Sequence, residues 1–246
     1  MNANRKTAST VGALYIIGTV AGILSLVVTG PVRNAEDYLV SIPGNETGLA
    51  AGAFFVLTMG LALAMIPVVM FPILKKHNEA LALGYVVFRG GLEAVGYLAI
   101  ATGWLLLVLV SQIYVQAEVS DASGFEALGA LIFEATAIVG GYILAIVFCL
   151  GALMFNYLLY RTRLVPRWLS GWGLIAVVPY LATGLLAMLG IIPILSPIYT
   201  VPQVPLALQE LVLAVWLIAK GFNTSATVLG TAKTASNGVQ MSASKV

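Results

Sequence analysis

The sequence predicts an all-α integral membrane protein, a bundle of six transmembrane helices with both termini in the cytoplasm. Three observations carry this prediction. Of 246 residues, 60% are apolar and only 9% are charged, against about 45–50% and about 25% in soluble domains. Too few polar residues remain to coat a water-facing surface, so lipid must be the solvent for most of the chain. Six apolar stretches reach the roughly 20 residues that a spanning helix needs. Basic residues alternate between the connecting segments in the way that cytoplasmic loops require.

The spans run from about Val11 to Gly30, Leu49 to Leu74, Leu81 to Val110 (extending towards Gln116), Phe125 to Tyr160, Trp168 to Ile192 and Pro205 to Phe222. Each run is continuously apolar, whereas strands of a membrane barrel would alternate over about 10 residues. A cleavable signal peptide competes for the first segment, with Arg5 and Lys6 as its basic start. Its apolar stretch is longer than the roughly 7–15 residues of a signal core, which favours a retained span. The third and fourth spans exceed the bilayer and must tilt or project. Val119 to Gly124 supplies the Ser, Asp and Gly of a turn between them. Pro67, Pro72 and Pro179 each remove a backbone hydrogen bond and are expected to kink their helices. Residues 1–222 form one transmembrane domain, and 223–246, rich in Ser, Thr, Ala and Lys, read as a disordered cytoplasmic tail.

Arg5 and Lys6, then Lys75 and Lys76, then Arg161, Arg163 and Arg167, then Lys220, Lys233 and Lys245 fall on one face. The other face has Arg33 as its one basic residue, with Glu36, Asp37, Glu46, Glu118 and Asp121. Tyr38, Tyr114, Tyr157, Tyr160 and Trp168 fall near span ends and fit the aromatic belts of the two interfaces.

Four charged residues fall inside the spans. Arg89 and Glu93 are four apart and share a helical face, about 12 Å and about 18 Å into span 3 at 1.5 Å per residue. Gly90, Gly91 and Gly96 would let a neighbouring helix approach them. Glu134 lies in span 4 and Glu210, beside Gln209, in span 6, each about two turns or less from the outer end of its apolar stretch. A charge at mid-bilayer costs roughly 2.5–3.5 kcal/mol on insertion scales, so such residues usually face the bundle interior or a wet cavity. Two readings are open: a polar network that fixes helix packing, or a ligand-binding or proton-relay site built from Arg89, Glu93, Glu134 and Glu210. One arginine against three carboxylates is out of charge balance unless protons are held.

Other chemistry is poorly served. The net charge of +2 is too small for a nucleic-acid binder. Cys149 is the one cysteine, which excludes an internal disulfide, and sits in an apolar run as a packing residue. His77 is the one histidine, beside Lys75 and Lys76 in a loop, so neither a zinc centre nor a Ser–His pair is available. No metal, cofactor or nucleotide motif is present, which leans against an enzyme. Gly18-x-x-x-Gly22 permits close helix contact within the chain or in a homo-oligomer. Asn45-Glu46-Thr47 is formally a glycosylation sequon.

Several segments resemble one family. Arg5-Lys6-Thr7-Ala8 with Gly12-Ala13-Leu14-Tyr15, Phe88-Arg89 with Leu92-Glu93-Ala94, the segment from Leu164 through Pro166 and Trp168 to Ser170 with Gly171 and Gly173, and Pro205, Glu210-Leu211, Trp216-Leu217-Ile218 and Lys220-Gly221-Phe222 are similar to the six-helix bacterial proteins of domain of unknown function 4386. The resemblance spans nearly the whole chain outside the tail. It implies a bacterial or archaeal plasma membrane and adds weight to Arg89, Glu93 and Glu210, though not to Glu134. It implies no activity or ligand. The reading is therefore a plasma-membrane protein that binds or moves a small solute, a lipid or a proton. The alternatives are a lipid-modifying enzyme using Glu93 or Glu210 as acid/base, or a subunit of a membrane complex. A reporter active only outside the cytoplasm is expected to work when fused after Gly44 or after Ser123; cytoplasmic activity at either position would break the six-span order.

Overall fold

The computed structural model describes residues 3–33, 35, 38–116, 122–194 and 196–223. Glu36, Asp37, Glu118, Asp121, Lys233, Lys245, the Tyr38 side chain, most of the expected turn at 119–124 and the expected tail beyond Asn223 lie outside the described residues. The described residues are helical, without strands. The elements are α1 (Ala3–Arg33), α2 (Tyr38–Ser41), α3 (Glu46–Leu74), α4 (Glu79–Tyr85), α5 (Glu93–Gln116), α6 (Ala122–Ile138), α7 (Leu144–Thr162), α8 (Arg167–Met188), α9 (Pro197–Thr200) and α10 (Val204–Ala219). Two π-helical turns, Val86–Leu92 and Val139–Ile143, join α4 to α5 and α6 to α7, and a 3-10 turn, Val201–Gln203, joins α9 to α10.

These combine into six helices long and apolar enough to cross a membrane: Asn4–Arg33, Glu46–Leu74, Glu79–Gln116, Ser123–Thr162, Arg167–Met188 and Pro197–Ala219. They are numbered here as spans 1 to 6. In lipid every backbone N–H and C=O must be satisfied within the segment, and the α-helix does this residue by residue. Pro67 and Pro72 sit inside α3 and Pro179 inside α8, and none of them ends its helix.

The spans form a closed ring in chain order: each packs on its neighbours in sequence, and span 6 returns to span 1. Span 1 is thus an integral member of the bundle. The ring closes at the end that gathers the basic residues. There, Arg5 Nη2 donates to the carbonyls of Ile218 at 2.7 Å and Ala219 at 3.1 Å, satisfying the last turn of α10. Ala8, Val11, Leu74, Leu158, Leu164, Leu169, Leu217 and Phe222 pack into one apolar cluster at this end. A second cluster, including Val32, Leu49, Trp104, Leu107 and Val110, fills the opposite end of spans 1 to 3.

Span limits differ from the sequence expectation where packing or caps decide them. Span 1 begins before its expected start at Val11, and Ala8, upstream of that point, is fully buried in the bundle. Span 5 stops at Met188 rather than Ile192, just before Gly190 takes a left-handed φ of +71°. Span 6 starts eight residues earlier than expected. Ser196 caps it by accepting from Tyr199 N, and Pro197 occupies a first-turn position, where no N–H is needed. Glu210 therefore lies about 20 Å from that end, at 1.5 Å per residue, and not within two turns of it.

Gly18 and Gly22 face Leu63 and Met59 of span 2, so the G-x-x-x-G serves packing within the chain. The tightest backbone approach is at Gly12, where an added Cβ would stand 2.6 Å from the Ala214 carbonyl oxygen. Gly12→Ala is expected to lower the melting temperature, at a cost of about 1–3 kcal/mol as for other overpacked sites. Gly124→Ala, which meets nothing within 4 Å, should leave it unchanged or raise it. Equal melting of the two variants in detergent would contradict the described span 1–span 6 contact.

Candidate functional site

Arg89 lies on the π-helical turn of span 3, whose last wide bond runs from Glu93 N to Phe88 O. Its side chain points into the ring and is 2% exposed. Gly151 of span 4 makes room for it, since a Cβ there would be 3.3 Å from Arg89 Cβ. Nη1 donates to both oxygens of Glu93 at 3.1 Å, and Nη2 donates to Glu210 Oε1 at 3.1 Å. One guanidinium thus joins span 3 to span 6 across the ring. Glu93 is 1% exposed and also accepts from the Tyr97 hydroxyl at 2.9 Å. Glu210 accepts the single bond from Arg89 and is 19% exposed.

Aromatic rings complete the enclosure. The Arg89 guanidinium carbon lies 4.6 Å from the ring centroid of Phe148 on span 4 and 6.0 Å from that of Tyr15 on span 1. Both distances fall in the range where a ring face attracts a cation. Tyr85 stacks on Phe155 at 4.6 Å, next to the same cluster. Arg89 Nε is buried without a hydrogen-bond partner among the described residues.

The structure brings together Arg89, Glu93 and Glu210 and leaves Glu134 apart. Glu134 is exposed on α6. Arg89 is level with Gly151, and seventeen residues of span 4 separate that position from Glu134, about 25 Å along the helix axis. No pair of side chains spans that gap. The expectation of a four-residue cluster took depth from the outer end of an apolar stretch, and span 4 is far longer than the bilayer core, so its outer turns are remote from mid-span.

Sequence reasoning missed Tyr15, Tyr85, Tyr97 and Phe148. Tyr97 had a signal, being four residues from Glu93 on the same face. Tyr15 stood only as the end of the Gly12–Tyr15 segment of the family resemblance and Phe148 had no signal, because their roles depend on how spans 1 and 4 meet span 3. No group of three His, Cys, Asp or Glu side chains that could hold a metal ion occurs among the described residues.

Six long apolar helices, closed on a buried arginine–dicarboxylate cluster, define a multi-span helical membrane protein. The chain belongs to the family described as domain of unknown function DUF4386, whose model matches residues 10–221. No curated protein and no solved structure matches it.

Removing one partner of a buried ion pair typically costs about 3–5 kcal/mol, whereas replacing all partners with apolar residues is often neutral. Glu93→Leu is therefore expected to lower the melting temperature more than Glu210→Leu, whose carboxylate has one bond and partial exposure. The triple variant Arg89→Met, Glu93→Leu, Glu210→Leu should recover most of the loss. Additive losses across the three substitutions would show that the cluster is not one unit.

Proposed function

We propose that this chain is a non-enzymatic plasma-membrane protein, with both termini in the cytoplasm, that binds a proton within the bilayer and uses it to bind or move a small solute. The basic end of the bundle is the cytoplasmic end on this reading, because Lys and Arg concentrate in cytoplasmic segments. The observation that carries the proposal is the charge balance at Arg89. One guanidinium is bonded to two carboxylates, which leaves one net negative charge in apolar surroundings. The neutral form of the trio holds one proton.

The two carboxylates are unequal. Glu93 accepts three hydrogen bonds and is enclosed, which makes it the fixed counter-ion. Glu210 accepts one and is partly exposed, which makes it the exchanging group. Among the described residues, the titratable groups that interact electrostatically with Glu210 are Arg89, Glu93 and Tyr85 of span 3, Tyr15 of span 1, Cys149 of span 4 and Tyr180 of span 5. A π turn at Arg89 supports a moving site, since such turns are rare and frequently mark functional positions. A purely architectural lock is favoured by the three hydrogen bonds that enclose Glu93, and it predicts no proton exchange at Glu210.

Infrared difference spectra of the protein in nanodiscs separate the two readings. On acidification, a protonated-carboxyl C=O band should grow in the wild type, be lost in Glu210→Gln and persist in Glu126→Gln, an exposed control. Identical spectra for wild type and Glu210→Gln would overturn the proposal.

A further inference from the structure

A second buried polar group lies beside this cluster. Gln209, next to Glu210 on α10, is 0% exposed and reaches between spans 4 and 5. Its Nε2 donates to Asn156 Oδ1 and to the Leu169 carbonyl, each at 3.2 Å. Asn156, 3% exposed, donates in turn to the Ala152 carbonyl at 3.0 Å. The backbone has been cleared for this pair: a Cβ on Gly173 would stand 2.4 Å from the Asn156 amide oxygen. Gln209 Oε1 is buried without a hydrogen-bond partner among the described residues.

An unsatisfied buried acceptor costs about 1–3 kcal/mol. Buried waters in proteins typically bond to such groups. The position of this acceptor gives it a use. Leu169 is the third residue of α8 and stands at the basic end of the bundle. Polar atoms then step inward from the Leu169 carbonyl to the Asn156 and Gln209 amides, and the next residue on α10 is Glu210. The opposite direction offers a different set: the Tyr97 hydroxyl bonds to Glu93, and nearer the far end the Tyr199 hydroxyl donates to the Gly141 carbonyl. Gln209 is joined to Glu210 through the backbone of α10, while the Tyr97 hydroxyl bonds to the enclosed Glu93.

We propose that Glu210 exchanges its proton with the basic end of the bundle, and that Gln209 is the positioning residue for that exchange, its free amide oxygen holding a water that bridges to the Glu210 carboxyl. This rests on the reading of Glu210 as a proton-binding group. Groups that could compete for the water are the Asn156 amide and the Leu169 carbonyl; the charged or titratable neighbours of Glu210 are those named above, and Gln209 adds none.

The test separates rate from equilibrium. After a pH jump, the growth of the Glu210 C=O band is followed in time for wild type, Gln209→Met, Gln209→Asn and Tyr97→Phe in nanodiscs. Gln209→Met, which keeps the shape and removes the amide, should slow the band at least about tenfold, equivalent to 1.4 kcal/mol, with its final amplitude unchanged. Gln209→Asn, which keeps an amide oxygen, should restore most of the rate. If Gln209→Met does not fold, Asn156→Leu, which removes the support of Gln209, should show the same slowing. Unchanged rates in the Gln209 or Asn156 variants, or slowing in Tyr97→Phe alone, would overturn the inference while leaving Glu210 as the proton site. A wild type with no such band would remove both.

Discussion

A guanidinium placed in hydrocarbon must find its counter-charges inside the protein, and Arg89 is 2% exposed. Much of the bundle's interior follows from that demand. Glu93 answers from the same helix and Glu210 from the opposite side of the ring. Span 6 must then start early enough for Glu210 to reach mid-span, which the Ser196 cap and the first-turn Pro197 achieve. Span 4 must yield space, which Gly151 does. The rings of Phe148 and Tyr15 replace water around the cation. Each feature is modest alone, and together they hold a charge that an apolar core would otherwise exclude.

Within lipid there is little hydrophobic drive to bring one apolar helix to another, so packing and polar bonds must supply it. The ring uses both. Glycines let spans 1 and 2, and spans 1 and 6, approach closely. Polar side chains then tie spans that small residues alone would leave free to slide. Ser25 of span 1 donates to the Gly52 carbonyl of span 2, and Gln209 of span 6 ties spans 4 and 5. The two π turns sit where spans 3 and 4 pass the ring interior, and they break the regular helical register there.

The fold class was legible because it rests on composition and run length, which need no partner. Helix number follows from the same quantities. Helix ends were less legible, since Ala8, upstream of the expected start, is held in span 1 by contacts with distant residues, and span 6 begins at Pro197 behind a Ser196 cap. The Arg89–Glu93 pair could be read from a spacing of four. The contact of Arg89 with Glu210, 121 residues away, could be suspected from charge alone but not placed. Glu134 misled for a physical reason: hydropathy reports that a residue is flanked by apolar neighbours and says nothing about its height along an overlong helix. The π turns left no trace in the residue pattern, because a single widened turn shifts the register by one position and leaves the run apolar.

The contact between Arg5 and the carbonyls of Ile218 and Ala219 joins positions 213 and 214 residues apart. At about 5–20 residues per second, a ribosome takes roughly 10–40 s to make the intervening chain. For that interval the first helix waits in the membrane with its closing face bare, and Arg89 waits without Glu210. Span 6 completes both. The newborn chain is thus an open arc that becomes a ring only when span 6 joins span 1, and a chain stopped before span 6 would carry an exposed seam and an under-compensated charge, two marks by which membrane quality control could recognise an unclosed bundle.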